Sequence, residues 1–137
     1  MREILFRGKR IDDDKWIYGY YLEEYRKDKT KKSCIFGSWT DGEKVFNHKE
    51  MVLPETVGQY TGLKDKNGKK IFEGDIVRIT TGIKGYKSTY HSAIQKVRYE
   101  TDECGIAVFY PFDNSDTVEV EVIGNIYDNP ELMGGAK

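Results

Sequence analysis

The chain is short of the residues on which most small enzymes and exported proteins depend. It holds two cysteines and two histidines in 137 residues. Cys34 and Cys104 form no Cys-x-x-Cys pair, and both are read as small buried or half-buried thiols of a reducing compartment. Long hydrophobic runs are missing too. The longest uncharged, apolar-rich stretch, residues 105–112, contains Pro111. A signal peptide needs an apolar core of roughly 7–15 residues and a spanning helix about 20. A soluble, cytoplasmic protein without membrane contact is the expectation. Neither sign of charge is in excess: 22 Lys and Arg stand against 23 Asp and Glu, a net charge of -1. That balance excludes a protein that coats DNA uniformly and an acidic mimic of nucleic acid.

What the chain does hold is aromatic. Phe, Trp and Tyr make up 13%, ten of them Tyr, too many for a disordered polypeptide. A chain of this length supports one core, or one core with a small appendage. Short aromatic-rich runs at residues 2–7 and 15–22 flank the turn cluster Asp12-Asp13-Asp14. Residues 23–32 carry almost no apolar side chain and read as an exposed, mobile loop. Strands at 33–39 and 44–48 flank Asp41-Gly42, a tight-turn signal, and Pro54 closes that region.

In the second half, Asn67-Gly68 offers the positive φ angles of a tight turn, and Glu73-Gly74-Asp75 leads into the strand Ile76-Val77-Arg78-Ile79. Residues 93–99 and 105–110 read as a hairpin, and residues 117–123 alternate with period two. Asn129-Pro130 suits the start of one helical turn, with Asn as N-cap and Pro at the first position. The expected fold is mostly β. A small, partly closed, SH3-like barrel occupies residues 56–137, residues 1–55 pack on it as additional N-terminal strands, and a short helical turn ends the chain.

Two segments, Gln59-Tyr60-Thr61-Gly62-Leu63-Lys64-Asp65-Lys66-Asn67-Gly68-Lys69-Lys70-Ile71-Phe72-Glu73-Gly74-Asp75-Ile76-Val77 and Val122-Ile123-Gly124-Asn125-Ile126-Tyr127-Asp128-Asn129-Pro130-Glu131-Leu132, resemble the YopX family of phage- and prophage-encoded proteins. The opening Met1-Arg2-Glu3-Ile4-Leu5-Phe6-Arg7-Gly8 is similar as well. The resemblance implies a small, intracellular, largely β protein carried by mobile elements, and it brings no catalytic residue with it. Gly62, Asp65, Asn67, Gly68, Glu73, Gly74, Asp75, Gly124, Asn125, Asn129 and Pro130 are residue types that specify turns and strand entries, so their expected role is structural.

Chemistry finds little purchase. Neither His48 nor His91 sits in a nucleophile motif. Cys34, His48, His91 and Cys104 lack the close ligand pairs of a structural zinc site. Asp12-Asp13-Asp14 lacks the spacing of a calcium loop, and Glu73 and Asp75 read as turn carboxylates rather than a catalytic pair. No phosphate-cradling glycine motif is present. The expectation is no enzyme activity, no cofactor and no metal.

Charge is informative only locally. Residues 76–99 carry five basic residues and no acidic one, whereas residues 100–131 carry nine acidic residues and no basic one. Opposite charges on adjacent strands would stabilise a sheet. On opposite faces they would favour head-to-tail homo-oligomers. The basic stretch also interleaves aromatics, and Arg78, Lys84, Tyr86, Lys87, Tyr90, Lys96, Arg98 and Tyr99 form the candidate binding surface. A protein partner, with self-assembly as one form of it, is the leading expectation. Single-stranded nucleic acid on residues 76–99 is the alternative.

Overall fold

The computed structural model describes residues 4–40, 45–101, 103–112 and 115–134. The chain clusters into two compact units, Met1–Tyr60 and Thr61–Lys137. The first holds β1 (Phe6–Lys9), β2 (Trp16–Tyr25), β3 (Lys31–Thr40), β4 (Val45–Met51) and a 3-10 turn at Pro54–Thr56. Strand β5 (Gly58–Lys64) runs through the division, and the second unit adds β6 (Lys70–Phe72), β7 (Asp75–Ile83), β8 (Tyr86–Lys96), β9 (Arg98–Thr101), β10 (Ala107–Tyr110), β11 (Thr117–Asn125) and a 3-10 turn at Pro130–Met133. The protein is mostly β, as its alternating patterns predict. The barrel is not formed: the described strands lie in open sheets, with β11-β7-β8 as a three-stranded sheet and β9-β10 as a separate pair.

In the first unit the order is β4-β3-β2-β1-β5, every neighbour that the register defines being antiparallel. Strand β2 changes partner midway. Its residues 16–19 pair with β1 and its residues 20–25 with β3. Two glycines permit the change. A Cβ on Gly19 would sit 2.2 Å from the Phe36 carbonyl oxygen, and one on Gly37 would sit 2.5 Å from that of Tyr18. Ile35, Cys34, Val52 and Tyr60 are buried here, and Val52 covers Gly8.

Residues 23–32 are not a loop. β2 continues to Tyr25 and β3 begins at Lys31, leaving a short turn in which Asp28 accepts hydrogen bonds from the Thr30 amide (3.0 Å) and hydroxyl (2.7 Å). The charges that suggested a loop pair across the strands, Lys31 with Glu23 at 2.6 Å and Lys49 with Glu24 at 2.7 Å. The Asp41-Gly42 turn lies outside the described residues.

In the second unit the core is Ile71, Val77, Ile79 and Val97, with Phe112, Val120 and Val122 packed against it. Alternation along β7 sends Val77 and Ile79 inward and Arg78 outward. The Asn67-Gly68 turn differs from the expected two-residue form, since only Gly68 has a positive φ (82°). Its organiser is Asp65. One carboxylate oxygen accepts from the amides of Asn67 (2.8 Å) and Lys69 (2.9 Å), and the other from Val122 on β11 (3.0 Å). The C-terminal turn forms with Pro130 in its first turn, but Asn129 does not cap it. Its side-chain oxygen accepts from the Asn125 amide at 3.3 Å instead.

Candidate functional site

The residues shared with the recognised motifs build a scaffold. Asp65 is 7% exposed. Burial pushes its carboxyl upward, but the amides of Val122, Lys69 and Asn67 more than offset this and hold it below the ordinary value. Asp75, fully enclosed, accepts from the Phe72 amide at 2.7 Å. Gly74 has φ 93° and lies under the ring of Tyr127, where a Cβ would meet Cε2 at 3.0 Å. Gly124 lies against Asn129 and Leu132, while Asn125 accepts from the amides of Tyr127 (3.0 Å) and Asp128 (2.9 Å). Gly62 takes φ 89°, and Glu73 is half-buried in the turn before β7. The carboxylates of Asp65 and Asp75 and the side-chain oxygen of Asn125 are thus engaged by backbone amides. Among the described residues no group of three or more His, Cys, Asp or Glu is placed to hold a metal ion, and no helix is long and apolar enough to cross a membrane.

The eight residues of the candidate surface are dispersed. Arg78 stands on the central strand of the three-stranded sheet, 3.1 Å from Glu121 of β11. On the same side Lys66 lies 3.1 Å from Glu119 and 3.9 Å from Glu121. Here basic and acidic segments are adjacent strands, the arrangement in which opposite charges stabilise a sheet. Arg98 donates to Glu100 at 2.8 Å and covers the Tyr110 ring at 4.8 Å, while Tyr99 packs on Phe109 with ring centres 4.5 Å apart. The Tyr90 hydroxyl accepts from the Gly85 amide at 3.1 Å and so shapes the turn before β8. Lys84 lies in that turn, and Tyr86, Lys87 and Lys96 lie on β8.

Among the described strands β8 is an edge, with β7 between it and the carboxylates of β11. Neighbouring strands lie about 4.8 Å apart, so β8 and β11 are separated by roughly 10 Å, about one screening length in ordinary salt. Lys87 and Lys96 therefore leave β8 with charge of one sign. The β11 edge is different: its Val120 carbonyl accepts from the Lys66 amide at 2.9 Å and its Val122 amide donates to Asp65.

A second surface, in the first unit, escaped the sequence reading. Trp16, Tyr18 and Tyr20 alternate along β2 and share a face. Register places Phe36 opposite Tyr20, and Lys49 opposite Phe36. Tyr18, Tyr20 and Phe36 are 48%, 66% and 41% exposed. The signal that could have found it is the spacing of aromatics at positions 16, 18 and 20. Phe36 and Lys49 join only through strand register. Of the thiols, Cys34 is buried as expected, but Cys104, in the turn between β9 and β10, is exposed.

The family model described as "YopX protein" matches residues 5–134. The chain belongs to the YopX family. Among curated proteins none matches it. A solved structure from Enterococcus faecalis, titled as the crystal structure of protein EF1440, superposes with a TM-score of 0.52 at 22% identity, covering 97% of this chain and 99% of that one. That likeness shows a shared fold. In this YopX chain Asp65, Gly74, Asp75 and Asn125 of the motif lie at the turns and strand entries described above.

Proposed function

We propose that this YopX-family protein is a non-enzymatic binding module, encoded by a phage or prophage and working in the host cytoplasm, that pairs the edge of β8 with an extended acidic segment of a protein partner. The observation that carries this reading is β8 itself. It is an eleven-residue edge strand on which only Thr89, Tyr90 and Gln95 are partly covered. An edge offers a row of backbone donors and acceptors to an added strand, and side chains at alternate positions choose among partners.

Charge selects the partner's sign. Lys87 and Lys96 bracket the strand and it carries no carboxylate. A two-fold pairing of two β8 strands centred between His91 and Ser92 would set Lys87 opposite Lys96 of the second copy, and like charges directly opposite are destabilising. An acidic partner is therefore favoured over a second copy. The non-enzymatic reading is supported by Asp65 and Asp75, whose buried carboxylates are engaged by backbone amides.

Fluorescence anisotropy with labelled peptides of alternating Glu and Val tests the reading. Micromolar binding that weakens with salt and is lost in Lys87→Glu/Lys96→Glu is expected. No binding at high micromolar peptide, or binding indifferent to the double reversal, refutes it. Light scattering should give a single-copy mass.

A further inference from the structure

We infer that the outer face of the first unit is a stacking platform for single-stranded DNA. The site is independent of the β8 reading. Gly19 projects toward the β3 backbone, where the Phe36 carbonyl occupies the place of its missing side chain. Successive side chains of a strand point to opposite faces, so Trp16, Tyr18 and Tyr20 lie on the other, outer side of this bend. That is why large rings here remain open to solvent, at 48% for Tyr18 and 66% for Tyr20. Residues two apart on one face are separated by about 6.7 Å. The row therefore presents successive rings along a line, with Phe36 beside Tyr20, as an extended polymer of flat bases requires.

The charge of the face fits a polyanion. Pairing places Arg7 opposite Tyr18, Lys9 opposite Trp16, Lys32 opposite Glu24 and Lys49 opposite Phe36. Among the described residues, these four cations share the face with one carboxylate, Glu24, which pairs with Lys49 at 2.7 Å, so Arg7, Lys9 and Lys32 give the face its positive sign. The cations are interleaved with the rings. The Arg7 guanidinium lies 4.5 Å from the centre of the Trp16 ring and the Lys9 ammonium 5.6 Å. Arg7 is 5% exposed, so its charge is fixed in place beneath the platform while Lys9, Lys32 and Lys49 remain nearer solvent.

A duplex hides the faces of its bases, so a row of rings selects single strands. The 2′-hydroxyl distinguishes RNA from DNA at a protein site. The named rings and cations engage base faces and phosphates, which a DNA strand presents in full without that hydroxyl. DNA is the occupant these residues favour.

The test is anisotropy on the full chain with a labelled oligothymidylate of about 15 nucleotides, the corresponding oligouridylate, and a DNA duplex. Binding to the DNA single strand in the micromolar range is expected. It should fall about tenfold between about 50 and about 200 mM salt, as two to three phosphate contacts require. Tyr18→Ala and Tyr20→Ala should each weaken it about tenfold. Both side chains are exposed, and an unchanged circular dichroism spectrum confirms that the variants fold. Lys87→Glu/Lys96→Glu, in the other unit, should bind DNA as the wild type does while losing acidic peptides. The inference is overturned by absence of binding at low salt, which would leave the face to a protein partner, or by equal affinity for the duplex. Tighter binding of the oligouridylate, or loss of binding in the β8 variant but not in Tyr20→Ala, overturns it as well.

Discussion

Removing the Asp65 carboxylate is the sharpest probe of the scaffold, because one side chain there ties a turn to a strand 57 positions away in sequence. Its two oxygens accept from the amides of Asn67, Lys69 and Val122 at 2.8, 2.9 and 3.0 Å. A hydrogen bond to a charged group contributes about 1.5–3 kcal/mol. Asn67 and Lys69 lie in an exposed turn and recover most of that from water, whereas the Val122 amide belongs to β11 at the edge of a packed sheet. Asp65→Ala should therefore cost about 2–4 kcal/mol, and Asp65→Asn, which keeps one acceptor oxygen, about 1–3 kcal/mol.

The pH dependence separates a charge effect from lost packing. The folded carboxyl lies below its ordinary value of 3.8, so its contribution is complete above that value and is lost as pH falls through the depressed one. Urea titrations followed by circular dichroism should show the gap between wild type and Asp65→Asn at its widest near about pH 7. It should narrow as pH falls below the ordinary value of 3.8 and through the depressed folded one, where the wild type also becomes neutral. Hydrogen exchange should localise the change to the Val122 amide. A gap that stays constant across this range, or a cost below about 0.5 kcal/mol, would refute the assignment of Asp65 as the charged tie.

Three further outcomes follow from the same geometry. Gly74→Ala should lower stability by more than about 2 kcal/mol, because a left-handed backbone at φ 93° is combined with contact against Tyr127, whereas Gly68→Ala, with nothing within 4 Å, should cost only about 1 kcal/mol; thermal melts compare them. Gly19→Ala should be more damaging than either, at more than about 3 kcal/mol, since its Cβ would overlap the Phe36 carbonyl and part β2 from β3. Thiol titration with a chromogenic disulfide should label Cys104 rapidly and Cys34 slowly, because burial and the neighbouring Glu24 push the Cys34 thiol up; Cys104→Ser should abolish the fast phase.

The elements that could be read ahead of the structure were those whose determinants are local. Gly74 needs a backbone that only glycine adopts easily, and Asn125 folds back on the amides two and three residues beyond it. Such signals are complete within a few positions. Residues 23–32 misled because charge density was taken for irregularity, while Glu23, Glu24 and Lys31 are spaced to face partners across a ladder. The barrel failed for a related reason. Short strands and turn residues specify antiparallel neighbours, but closure depends on whether β8 finds a further neighbour, which no local pattern encodes. Asp65 was legible as a turn residue, and its bond to Val122 was not.

The same division between local and distant information separates the two candidate surfaces. The basic stretch 76–99 is contiguous in sequence, which made it conspicuous, yet folding distributes it: Arg78 faces Glu121, Arg98 turns to Glu100 and Tyr110, and only the β8 lysines keep a common edge. The aromatic face of the first unit is assembled from four strands, β1 to β4, and no window of sequence contains it. A contiguous run of one sign of charge on a strand is split between two faces and exposed to neutralisation by its neighbours. Residues two apart keep to one face and can act together. For a sheet protein of this kind, aromatics at 16, 18 and 20 are therefore stronger evidence of a surface than five cations spread over residues 76–99, and the oligonucleotide titration sets the two directly against each other.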